Sequence, residues 1–200
     1  WIPIINTNRI ESNSNDWMYF SNWASSSIIN NTIKNNSRYW IYQTNWTHTI
    51  DNNSITNNTS NWVHVTGWLS DIKNNTVSNN SWIWIDIESG GSVITNNSVT
   101  SNANWIYINS SAWLITNNTI TWNTGYWIIS DYLDPYLVWS NNTISTNGTN
   151  AYHSHQFNMI ATTWTMKDDV LDILIDRNSS LALGKTLNLV PWNTIKFSNS

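Results

Sequence analysis

The stretch NNTVSNNSWIWIDIESGGSVIT, residues 74–95, is followed at once by NNSV, residues 96–99. The same opening, Asn-Asn-(Thr/Ser)-(Ile/Val), stands at Asn30–Ile33, Asn52–Ile55, Asn74–Val77, Asn96–Val99, Asn117–Ile120 and Asn141–Ile144. The steps between copies are 22, 22, 22, 21 and 24 residues, and a degenerate copy, Thr7-Asn8-Arg9-Ile10, lies 23 residues before the first. Seven repeats therefore run from about residue 7 to about residue 161, and a period of this length marks stacked supersecondary units.

Between the openings lie short alternating segments of β-branched and aromatic residues, such as Trp40-Ile41-Tyr42, Val63-His64-Val65, Ile85-Asp86-Ile87 and Ile106-Tyr107-Ile108. Alternation with period two is the signature of half-buried strands. No segment carries helical periodicity with caps, and the few leucines do not follow a leucine-rich repeat. The spacing predicts an all-β parallel β-helix (a β-solenoid) of about seven coils of about 22 residues, rising by roughly 4.8 Å per coil.

Three columns define the coil. The second Asn of the opening recurs as Asn8, Asn31, Asn53, Asn75, Asn97, Asn118 and Asn142. Five residues later come Asn13, Asn36, Asn58, Asn80, Asn102, Asn123 and Asn147. Stacked amides hydrogen-bond along such a rod as ladders, and Asn tolerates the left-handed backbone of a sharp turn. The third column, Ile10, Ile33, Ile55, Val77, Val99, Ile120 and Ile144, is expected in the core.

This phrasing resembles the right-handed parallel β-helix repeats of the pectin-lyase-like superfamily, including NosD-like periplasmic proteins. Their pattern, I-x-x-N-x-I-x-x-N followed by G-I-x-(I/V), is matched in its first half by coils two to seven. Coils two to five match the second half only if Trp stands for Gly.

That substitution recurs. One column reads Trp17, Trp40, Trp62, Trp84, Trp105 and Trp127, with Ala151 in the seventh coil. Trp also sits in turn contexts at Asn22-Trp23, Asn45-Trp46, Gly67-Trp68 and Pro191-Trp192. The chain holds 16 Trp and only 6 Gly, whereas average usage would give roughly 14 Gly. A non-glycine residue forced left-handed costs roughly 1–2 kcal/mol, so if most of the 16 needed it the total of about 16–30 kcal/mol would exceed the roughly 5–15 kcal/mol stability of a domain. The expectation is that UGA codons for glycine have been translated as tryptophan. The alternative is a set of real, exposed aromatic ladders.

Charged residues make up only 10% of the chain and the net charge is -4. Nucleic-acid binding and polybasic membrane attachment both need a basic field that is missing here. No apolar run approaches the roughly 20 residues of a membrane span. There is no Cys, so disulfide and thiolate chemistry are excluded while the compartment stays open. The chain starts at Trp1 and reads as part of something longer. The resemblance implies an exported bacterial protein, extracellular, at the cell surface or periplasmic.

Residues 1–161 form the expected solenoid. From about Met166 the Asn pairs stop, and Leu171–Ile175, Leu187–Val190 and Ile195–Phe197 read as strands. Residues 166–200 are expected to be a β-strand cap or the start of a further solenoid section. The second option rests on LNLVPWNTIKF, which with Gly at 192 resembles the entry of such sections in large bacterial surface proteins.

Chemistry is sought on the outer face of one sheet. Residues two apart share a face. The column after the Trp position is Tyr19, Tyr42, His64, Asp86, Tyr107, Ile129 and His153, and two residues on lie Ser21, Thr44, Thr66, Glu88, Asn109, Asp131 and His155. The candidate ligand-binding face is Tyr42, His64, Asp86, Glu88, Tyr107, Asp131, His153 and His155. Asp86, Glu88 and Asp131 are the candidate acid–base pair members of a glycoside hydrolase, which needs carboxylates about 5–9.5 Å apart. The plain alternative is the ordinary polarity of an outward solenoid face, and no catalytic role is assigned.

The resemblance to the lyases implies calcium and a basic proton acceptor. Arg9, Lys34, Arg38 and Lys73 fall off this face, so no cofactor is expected from the residues themselves. His153 and His155 share a strand face as zinc or copper ligands would, but no third ligand is evident, and no metal is assigned. The partner expected is a polysaccharide or cell-surface glycan. The reading is a non-catalytic structural rod or carbohydrate-binding and adhesion segment, with a polysaccharide lyase, hydrolase or epimerase as the alternative.

Overall fold

The computed structural model describes residues 2–15, 18–20, 25–38, 41–43, 47–66, 70–88, 91–109, 114–132, 138–156, 158–159, 164–165, 172–175, 180–181, 187–188 and 195–197. Of residues 19, 43, 127, 130–132, 138–140 and those from 149 onward, only the backbone is described.

Every described element is a strand, and the strands of the three large sheets pair in parallel. The first sheet stacks seven strands, from Ile4–Asn6 through His48–Asp51 and Val93–Thr95 to Val138–Ser140. The second stacks seven more, from Arg9–Glu11 through Ser54–Thr56, Thr76–Ser78, Ser98–Thr100 and Thr119–Thr121 to Thr143–Ser145. The third holds nine, from Met18–Phe20 through Val63–Val65, Ile83–Ile87 and Asn104–Ile108 to Thr149–Gln156, then Asp172–Ile175 and Ile195–Phe197. The chain visits the three sheets in turn, which makes it a parallel β-solenoid.

The core is the set of inward columns. Ile28, Ile50, Ile72, Ile94 and Ile115 come from the first sheet and Ile33, Ile55, Val77, Val99 and Ile120 from the second, all fully buried. Each such side chain contributes about 1.5–3 kcal/mol by leaving water. The third sheet adds Val63, Ile85, Ile106 and Ile128.

Both Asn ladders form as the repeat requires. Asn97 is typical: its Nδ2 donates to Asn118 Oδ1 at 3.0 Å, Ile72 O at 3.0 Å and Thr95 O at 3.1 Å. Its Oδ1 accepts from Asn75 N at 2.9 Å and Asn75 Nδ2 at 3.0 Å. In the second ladder Asn102 Nδ2 donates to Asn123 Oδ1 at 3.1 Å. The ladders satisfy the backbone carbonyls at the two corners flanking the second sheet, which would otherwise be buried without partners.

The structure corrects the expected place of the turns. The left-handed residues are the first Asn of each opening, Asn30, Asn52, Asn74, Asn96, Asn117 and Asn141, and the residue before the second ladder, such as Asn57, Asn79 and Ser101. The two members of each Asn pair thus divide the work: one turns the chain and the other forms the rung. Trp62, Trp84 and Trp105 are not left-handed. Trp84 and Trp105 lie within strands, and Trp62 directly precedes Val63–Val65. All three are at most 2% exposed. Their rings stack, Trp62 on Trp84 at 5.2 Å and Trp84 on Trp105 at 5.8 Å. The steric objection therefore does not apply to these three residues, because strand backbone accepts aromatic residues readily, while Trp17 and Trp40 lie outside the described residues. The expectation of exposed indole ladders fails there too. Outside this column Trp82 is 61% exposed, and Trp122 combines φ 60° with 65% exposure.

Glycine is needed for a different reason. At Gly148 an added Cβ would lie 1.9 Å from Thr124 O, and at Gly125 2.6 Å from Ala103 O. Adjacent coils approach too closely there for any side chain.

Candidate functional site

The outward column of the third sheet is in the expected register. Tyr19 pairs with Tyr42, Tyr42 with His64, His64 with Asp86, Asp86 with Tyr107, Tyr107 with Ile129, and Ile129 with His153. Parallel in-register stacking places equivalent residues about 4.8 Å apart along the rod.

Four candidates come together in the middle of this face. The Tyr42 ring stacks on His64, centroids 4.9 Å apart and 17° from parallel. His64 Nδ1 lies 2.9 Å from Asp86 Oδ2. His64 Nε2 lies 3.7 Å from Glu88 Oε1. Glu88 follows Asp86 by two residues, so the strand aims both carboxylates the same way. The Glu88 side chain is half exposed, while those of His64 and Asp86 are largely covered.

Burial is the largest single influence on His64 and pushes its pKa down. The hydrogen bond to Asp86 and the negative charges of Asp86 and Glu88 push it up and prevail, so the imidazole holds its proton above the ordinary 6.5. Asp86 in turn orients the ring, fixing Nδ1 as the nitrogen that carries the shared hydrogen.

A contributor missed in the sequence is Asn61. It is buried, and its Nδ2 donates to Asp86 Oδ2 at 3.3 Å. Asn61 Oδ1 and Asp86 Oδ1 are buried without a hydrogen-bond partner. Asn61 shares its column with Ile83, Asn104 and Tyr126, a mixed set that periodicity could not single out. A second missed pair is inside the rod: Ser26 Oγ lies 2.5 Å from His48 Nδ1, with the Phe20 ring 5.2 Å from the imidazole. Ser26, His48 and Ser70 are in register, which makes a polar column within the first sheet's inner face.

Tyr107 stands in register beside Asp86. The side chains of Asp131, His153 and His155 lie outside the described residues, as do Ser21 and Thr44 altogether. Among the described residues no group of three or more His, Cys, Asp or Glu is placed to hold a metal ion.

The face can accept hydrogen bonds through Glu88 and offer ring surface through its tyrosines. It also holds a histidine positioned by a carboxylate. No curated protein and no solved structure matches the chain. A family model for the right-handed β-helix region matches residues 66–179, more than half of the 200 residues. With the parallel three-sheet coil independently in place, the chain belongs to the right-handed β-helix family.

Proposed function

We propose that this chain forms a rigid, non-catalytic rod of an exported protein, extracellular, on the cell surface or periplasmic, that presents its third sheet to a polysaccharide. The observation that carries this is the central cluster of Tyr42, His64, Asp86 and Glu88, where ring surface and carboxylate acceptors sit on one rigid strand face. Glycan-array screening followed by calorimetry tests it. Saturable binding without turnover is expected, weakened at least tenfold by Glu88→Gln. Absence of binding to every glycan class would rule the reading out.

A polysaccharide lyase, hydrolase or epimerase is the second reading. One observation favours it: His64 is held by Asp86 as a general base would be. Product release from an acidic polysaccharide, abolished by His64→Gln, would establish it over the first.

We infer also that some tryptophans are glycines read with the wrong code, beginning with Trp122. Its left-handed backbone supports this, since glycine alone adopts it without penalty. The mass of the peptide spanning Thr119–Tyr132 from the native source decides the matter, and a UGG codon at position 122 would refute it. The pairing of Asp172–Ile175 and Ile195–Phe197 onto the third sheet supports reading residues 166–200 as a further solenoid section.

A further inference from the structure

The outer face of the second sheet has a different chemistry. Each strand from the third coil to the seventh reads hydroxyl–aliphatic–hydroxyl, as in Thr76-Val77-Ser78 and Thr119-Ile120-Thr121. The aliphatic residue points into the core and both hydroxyl residues point out. Register is unbroken: Ser54, Thr76, Ser98, Thr119 and Thr143 form one column, and the residues two further on form a second ending at Ser145. The face is therefore a lattice of ten Ser and Thr side chains. It carries neither charge nor aromatic ring. The charges of this sheet, Arg9, Glu11 and Lys34, are confined to the first two coils and pair with one another.

Two features distinguish this lattice from ordinary surface polarity. All ten side chains are exposed or half-buried, so their hydroxyls face solvent. The sheet is also clamped along both edges by the two buried Asn ladders, so its spacing is rigid. The coil repeat of about 4.8 Å is close to a natural distance of liquid and solid water. Two oxygens hydrogen-bonded at about 2.8 Å to one tetrahedral water lie about 4.5 Å apart. A single water can thus bridge successive hydroxyls of a column. Along the strand the two columns stand about 6.6 Å apart, which leaves a trough for a file of water between them.

We propose that this face binds ice, holding an ordered layer of water on its two hydroxyl columns that merges with the crystal surface. An uncharged lattice suits an uncharged crystal, because a Lys or Glu would keep its own hydration shell and break the layer. Rigidity means that little order has to be imposed on binding. The absence of aromatic rings sets this face apart from the third sheet and disfavours a sugar platform.

The test is partition of the purified chain into slowly growing ice, together with inhibition of ice recrystallisation. The expected result is incorporation into ice and small, persistent grains at micromolar protein. Thr76→Lys and Thr100→Lys each point outward and leave the core unchanged. Either is expected to reduce incorporation at least tenfold, with circular dichroism unaltered. Thr49→Lys, on the first sheet, adds the same charge elsewhere and is expected to leave incorporation as it was. Exclusion of the unmodified chain from ice overturns the proposal. So does incorporation that survives both second-sheet lysines, or binding of this face to crystalline cellulose or chitin in place of ice.

Discussion

At the scale of single residues, two positions carry measurable consequences. Trp122 holds a left-handed backbone while its side chain is exposed, so it bears a conformational cost without compensating burial. Equivalent coils place Asn57 and Asn79 there at φ 57°. Trp122→Asn is expected to stabilise the fold by about 1 kcal/mol, read from denaturant unfolding; destabilisation would mean the indole makes contacts that matter more than its backbone. His64 gives a pH dependence of known sign. Its pKa is raised in the folded chain, so the stabilisation is complete below the ordinary value of 6.5 and is lost as pH rises through the folded value. Thermal melts are expected to show the transition temperature falling over that interval, with the step absent in His64→Asn. A transition temperature that climbs across the interval would show that burial, not Asp86 and Glu88, governs the imidazole.

At the scale of the element, the Asn rung is the unit of stability. Asn97→Ala removes three donated and two accepted hydrogen bonds and leaves the Ile72 and Thr95 carbonyls without that donor. A cost of about 3–5 kcal/mol is expected. Asn8→Ala, at an exposed rung with fewer bonds, is expected to cost about 1 kcal/mol. Equal losses in equilibrium unfolding would mean the ladder contributes through packing alone. These rungs were legible in the sequence because seven copies agree in both residue and spacing, and the Tyr42–His64–Asp86–Tyr107 column followed from the same alignment. The turns were not. Asn pairs look uniform in sequence, yet one member turns and the other is buried, and only backbone geometry separates them. Trp62, Trp84 and Trp105 were misplaced for a related reason: bulk argues against a turn, but says nothing against a strand whose neighbours are equally bulky. Asn61 and His48 were invisible because each stands in a column of mixed residues, Asn61 with Ile83 and Asn104 and His48 with Ser26 and Ser70, and a mixed column shows no residue period.

At the scale of the whole molecule, each coil touches only the coils beside it, so the rod is close to one-dimensional. Couplings between substitutions should then depend on how many coils separate them and hardly on their chemistry. Asn75 and Asn97 are adjacent rungs joined by two direct hydrogen bonds. Asn31 and Asn118 belong to the same ladder but are separated by Asn53, Asn75 and Asn97. In a double-mutant cycle to Ala, the adjacent pair is expected to show an interaction of about 0.5–3 kcal/mol, because the second substitution removes a partner already orphaned by the first. The distant pair is expected to be additive within about 0.5 kcal/mol. A large coupling in the distant pair would require the amide chain to polarise along its length, and the rod would then transmit a change at one coil to faces several coils away. Additivity would instead make each face a local property. A glycan on the third sheet and ice on the second could then be bound by the same coils without either altering the other.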